Sequence, residues 1–80
     1  MQLLDQQQLQ DPGTVANFIL TNIYRHNAEA STFSRTFSLT DDEKEMLYRI
    51  DERSYTGEPT SVQDLHELRI LYWQVVGFLR

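Results

Sequence analysis

The sequence predicts an all-α fold, a small bundle of three main helices plus a short helical turn. Three observations carry that prediction. Apolar residues recur at three- and four-residue spacing in three separate segments, as one face of a helix requires. Residues that cap helix N-termini stand at the head of each segment, and Gly57 and Pro59 separate the second segment from the third. The one stretch rich in β-formers, YWQVV at residues 72–76, has no second such stretch to pair with.

Eighty residues allow one domain with a small core, whose net stability is a small difference between large opposing terms. Residues 1–10, MQLLDQQQLQ, read as a flexible arm or a short docking helix using Leu3, Leu4 and Leu9. Residues 11–80 read as a single helical domain.

In DPGT, Asp11 can cap a helix with Pro12 at its first position, or Thr14 can cap it one turn later. Val15, Phe18, Ile19 and Ile23 then make an apolar stripe that Leu20 and Tyr24 widen, and His26 and Asn27 suit its end. Phe33 and Phe37, four residues apart, suggest one or two helical turns. The neighbouring Ser and Thr side chains compete for backbone hydrogen bonds and argue against a longer helix.

The strongest local signal is SLTDDEKEMLYRIDERS. Thr40 and Glu43 are spaced as a capping box, and Asp41, Asp42 and Glu43 place negative charge where the helix dipole favours it. Met46, Leu47 and Ile50 form the buried stripe, Leu39 can fold back on it, and Glu45 is placed to pair with Arg49. Gly57 and Pro59 end this helix, and Thr60 or Ser61 caps the last one.

In that last helix Leu65, Leu68, Tyr72, Val75 and Leu79 make one seam. Ile70, Leu71, Trp73, Val76 and Phe78 are left over and spread round nearly the whole circumference, because each residue turns the helix by about 100°. A helix greasy on all sides wants cover on all sides. Leaving Trp73 and Phe78 bare exposes roughly 200 to 300 Å² and forfeits about 5 to 8 kcal/mol, which is comparable with the stability of the domain. The arm or the Phe33/Phe37 turn can supply the cover, or another chain can. The expected partner-binding residues are therefore Tyr72, Trp73, Val76 and Phe78, supported by Phe33 and Phe37. Gly77 would admit another backbone.

No catalytic pattern accompanies this surface. The acidic run DDEKE is explained as a helix N-terminus, His66 sits two residues from Asp64 and so on a different face, and HExxH and GxSxG are absent. With no cysteine, neither a disulfide nor a thiolate metal site can form. No metal, cofactor or autonomous activity is expected. Twelve acidic and seven basic residues give a net charge of −5, which opposes phosphate binding and argues against nucleic acid. The apolar run of residues 70–79 is about half a membrane span, and no signal-peptide pattern opens the chain, so a cytoplasmic protein is expected.

Residues 33–51, FSRTFSLTDDEKEMLYRID, resemble the small helical subunit of extradiol ring-opening dioxygenases and related helical accessory proteins of peptide-modifying pathways. The shared pattern is an aromatic, a short spacer, Leu-Thr, acidic residues and an apolar stripe ending at Asp. In the dioxygenases the small chain packs on a larger catalytic chain that holds the iron, so the resemblance implies an accessory subunit and carries over no catalytic residue. The expectation is a non-catalytic accessory or interaction protein that docks on a larger protein partner. The alternatives are a homodimeric regulatory protein and a small subunit that contributes to another chain's active site.

Overall fold

A computed structural model describes residues 2–30 and 35–80. Its regular structure is four helices, α1 (Gln6–Leu9), α2 (Pro12–Glu29), α3 (Asp41–Thr56) and α4 (Val62–Leu79), with no strand among the described residues. The chain is therefore a small all-α bundle of three long helices and one short one.

Local chemistry sets most boundaries. In α3 the Thr40 hydroxyl accepts from the Glu43 amide at 3.1 Å while the Glu43 carboxylate accepts from the Thr40 amide at 2.8 Å, so two otherwise orphaned donors are satisfied. Gly57, at φ 78°, ends α3 in the left-handed region, with its amide on the Arg53 carbonyl. In α4 the Ser61 hydroxyl accepts from the Asp64 amide at 3.1 Å. Pro12 opens α2 as predicted, although the Asp11 carboxylate takes the Thr14 hydroxyl at 2.6 Å rather than a backbone amide.

The core is drawn from three helices: Val15, Ala16, Ile19 and Ile23 of α2; Met46, Leu47 and Ile50 of α3; Leu68, Leu71, Tyr72, Val75 and Val76 of α4. Helix α2 packs on both of the others. Near its start a Cβ on Gly13 would lie 2.7 Å from the Ser54 Cβ, so glycine permits the close crossing of α2 and α3 there.

Three expectations are corrected. The short helix is not at Phe37 but Gln6–Leu9 in the arm, where a short helix is one of the two expected readings, and a reciprocal Asp5–Gln8 cap opens it. Phe37 instead lies in a non-helical segment at residues 35–40, and Phe33 falls outside the described residues. Helix α2 continues beyond His26 and Asn27 to Glu29, because those two side chains turn to hold the 35–40 segment rather than close their own helix. The buried arc of α4 is wider than one seam. Packing on both α2 and α3 buries Leu71 and Val76, whereas Leu65 and Leu79 are only half-buried.

Candidate interaction surface

Two anchors fix the orientation of α4, and with it the face it shows to solvent. At the first turn, Arg49 of α3 donates to Asp64 through both Nε and Nη2, each at 2.9 Å. This replaces the expected pairing of Arg49 with Glu45. A planar guanidinium matches a carboxylate in this two-pronged geometry, and a carboxylate as buried as Asp64, 6 % exposed, needs such a partner. The hydrogen bonds from Arg49 hold the Asp64 carboxyl below its ordinary range, outweighing the opposing effect of burial.

The second anchor is aromatic and lies at the far end of the helix. Phe78 meets the edges of Phe37 and His26, with ring centroids 5.2 and 5.1 Å away, and the Arg35 guanidinium lies 5.4 Å above it. Asn27 holds the covering segment by accepting from the Phe37 amide at 3.0 Å and donating to the Phe37 carbonyl at 2.8 Å. The His26 ring adds a 2.9 Å contact between Nε2 and the Arg35 carbonyl. Phe78 is half-buried, and the chain itself supplies its cover.

The arm covers another part of α4. Leu3, Leu4 and Leu9 pack against the core, and the Leu4 amide donates to the Tyr72 hydroxyl at 3.3 Å. The Tyr72 ring is 1 % exposed and lies against Phe18 at 5.4 Å, and Val76 is 3 % exposed. Tyr72 and Val76 are thus core residues, which corrects their expected role in partner contact. Phe18 of α2 and Leu4 of the arm already occupy the space around Tyr72.

Trp73 has a different fate. It is 58 % exposed and meets Tyr72 at a steep angle with ring centroids 5.0 Å apart, and Ile70 beside it is 48 % exposed. Around them His66, Glu67, Arg69, Gln74 and Gly77 complete a continuous outward face. The structure therefore retains Trp73 as an accessible residue, separates it from half-buried Phe78 and Phe37, and adds Ile70. The signal for Ile70 was present in the wheel, since it lies opposite Leu68 and Val75.

A second concavity, of about 520 Å³, opens between α2 and α3 and is lined by Leu20, Ile23, Tyr24, Lys44 and Tyr48 with the 35–40 segment at one end. Tyr24 and Tyr48 are exposed on its walls. Its polar lining is Tyr24, Asn27, Ser38, Lys44 and Tyr48, and the Asn27 amide is already engaged with Phe37. Among the described residues no three metal-ligating side chains converge, and no helix is long and apolar enough to cross a membrane.

Comparison with protein-family models, with curated proteins and with solved structures yields no match for the chain.

Proposed function

We propose that this chain is a non-catalytic, cytoplasmic interaction protein that docks on a protein partner through the outward face of α4. The observation that carries the reading is the exposure of Trp73 and Ile70 side by side, at 58 % and 48 %. Together they leave on the order of 200 Å² of apolar surface in water, and covering it is worth about 5 kcal/mol. Tryptophan also predominates among residues whose loss cripples protein interfaces. The two anchors support the reading because they hold the helix so that this face is presented without rearrangement, which limits the ordering cost of association.

Site-specific photo-cross-linking in cells that natively carry the chain tests the proposal. A photoreactive phenylalanine analogue at Ile70 or Gln74 is expected to give a discrete adduct that Trp73→Asp abolishes, while the same analogue at Tyr24 gives none. No adduct from Ile70 or Gln74, or a stronger one from Tyr24, overturns the assignment of this face.

A further inference from the structure

We propose that the occupant of the α4 face is a second copy of the same chain, packed α4 against α4 with the two helices parallel. The inference rests on the reading of that face as a contact surface and adds the identity of the partner. Three observations carry it.

The first is the order of charge across the face. At about 100° per residue, Arg69 and Arg80 fall along one edge of the exposed arc. Trp73, His66, Gly77 and Ile70 occupy its middle, and Gln63, Gln74 and Glu67 its other edge. Helix α3 extends the acidic edge, whereas the basic edge consists of Arg69 and Arg80 alone. Arg69 and Trp73 share a small concavity with Leu9 and Pro12, whereas Glu67, Ile70 and Gln74 share one with Asp42 and Glu43 of α3. A largely apolar lane, interrupted by His66, therefore runs between a basic lane and an acidic one. Among the described residues Arg69 has no carboxylate within 4 Å, and no cation pairs with Asp42, Glu43 or Glu67.

The second is what symmetry does with that order. When two copies meet face to face, their two-fold axis lies in the plane of contact. An axis perpendicular to the helices makes them antiparallel and sets each lane against its like. An axis along the helices makes them parallel and sets the basic lane of one copy against the acidic lane of the other. Parallel packing keeps every residue at the height of its own counterpart. Arg69 then stands within about 3 Å of axial rise of Glu67 in the second copy, within reach of a long side chain. The face is self-complementary in this one sense, and like charges oppose the other.

The third is Gly77. It sits in mid-face, its φ is not positive, and a Cβ there would meet nothing within 4 Å. Neither backbone conformation nor packing within the chain requires glycine, which costs a helix up to about 1 kcal/mol relative to alanine. In the parallel pair Gly77 lies opposite Gly77, where the missing side chain lets the two backbones approach beside the Trp73 rings.

One face of an 18-residue helix is about 27 Å long, and such a contact falls short of the roughly 800 Å² per partner of a standard stable interface. The association is accordingly weak and concentration-dependent.

The test is sedimentation equilibrium of the purified full chain from about 5 μM to about 500 μM, a range that brackets weak association. It is paired with disulfide trapping, which is clean because the chain has no cysteine of its own. A shift from monomer to dimer is expected, with Gly77→Cys forming its own disulfide and Ser38→Cys forming none. Trp73→Asp and Ile70→Lys, each checked for an unchanged melting temperature, are expected to weaken association about tenfold or more. A dimer insensitive to both substitutions overturns the inference. So does one trapped by mixing Ile70→Cys with Gly77→Cys but not by Gly77→Cys alone, which is the antiparallel signature. A chain that stays monomeric at every concentration also overturns it. In that case an Ile70 photo-adduct larger than two copies would leave the α4 face assigned to a different protein, while the absence of any adduct would remove both readings.

Discussion

Phe78 and Trp73 stand five residues apart on α4, yet one is clasped by its own chain and the other faces water. The difference does not come from the helix, which offers both as large aromatic side chains. It comes from what passes nearby. Beside Phe78 runs the 35–40 segment, held by Asn27 and His26. Beside Trp73 stand Tyr72 and a small concavity shared with Leu9, Pro12 and Arg69, which leave it more than half exposed. A greasy helix end is therefore two regions, one that closes the fold and one left facing water.

Alanine substitution at the two positions should break the symmetry most sharply. Phe78→Ala removes the ring that Phe37, His26 and Arg35 surround and is expected to lower stability by about 2 to 3 kcal/mol. That lies below the loss at a fully buried phenylalanine because Phe78 is half-buried. Trp73→Ala is expected to change monomer stability by about 0.5 kcal/mol or less. Urea denaturation at low concentration checks both. Equal losses would mean that Trp73 belongs to the fold and not to an interface.

The Asp64 anchor gives the next effect. Because the folded-state pKa of Asp64 is depressed, its contribution is present above the unfolded carboxylate value of about 3.9 and disappears as pH falls through the folded value. Asp64→Asn is expected to cost about 2 kcal/mol at neutral pH. This is less than the loss of a fully buried pair, because the Arg49 side chain is 44 % exposed. The same substitution should flatten part of the acid limb below about pH 4. Thermal melts of the wild type and variant from neutral to acidic pH check it. A constant difference across that range would show that the ionised pair does not carry the stability.

Asn27→Ala is expected to cost about 1 to 2 kcal/mol, the sum of two partly exposed hydrogen bonds to Phe37. It should also speed hydrogen exchange at the Phe37 amide with little change around Trp73. This result would place the cover of Phe78 in the Asn27 clamp.

These contrasts mark how far the residues could be read in advance. The start of α3 was legible because Thr40 and Glu43 are three apart and need no third party, and its end because Gly57 supplies a left-handed cap. The stripes of α2 and α3 were legible for the same local reason. The clamp was not, since Asn27 reaches ten residues along the chain to bond a backbone that no periodicity reveals. Arg49 had a plausible partner in Glu45 and took Asp64, fifteen residues away, because that carboxylate is buried. Tyr72 and Val76 were misread as contact residues because a wheel shows where a side chain points and not what stands there. The docked arm supplies the answer in the bond from Leu4 to Tyr72. Trp73 was legible as an anchor candidate, and its pairing with Ile70 emerged once the buried arc of α4 was fixed.

The smallest expected effect separates two glycines. A methyl group at Gly13 would meet the Ser54 Cβ at 2.7 Å, so Gly13→Ala should destabilise the chain by about 1 kcal/mol or more as α2 and α3 are forced apart. A methyl group at Gly77 meets nothing, and helix propensity alone predicts that Gly77→Ala stabilises the monomer by a few tenths to about 1 kcal/mol. If the α4 faces of two copies meet at Gly77, the same methyl groups hold the backbones apart and the dimer dissociates more readily. A variant whose monomer melts higher while its association weakens would separate the needs of the fold from those of the interface. Tighter association in Gly77→Ala would remove glycine from the contact and leave Trp73 as the feature on which the face depends.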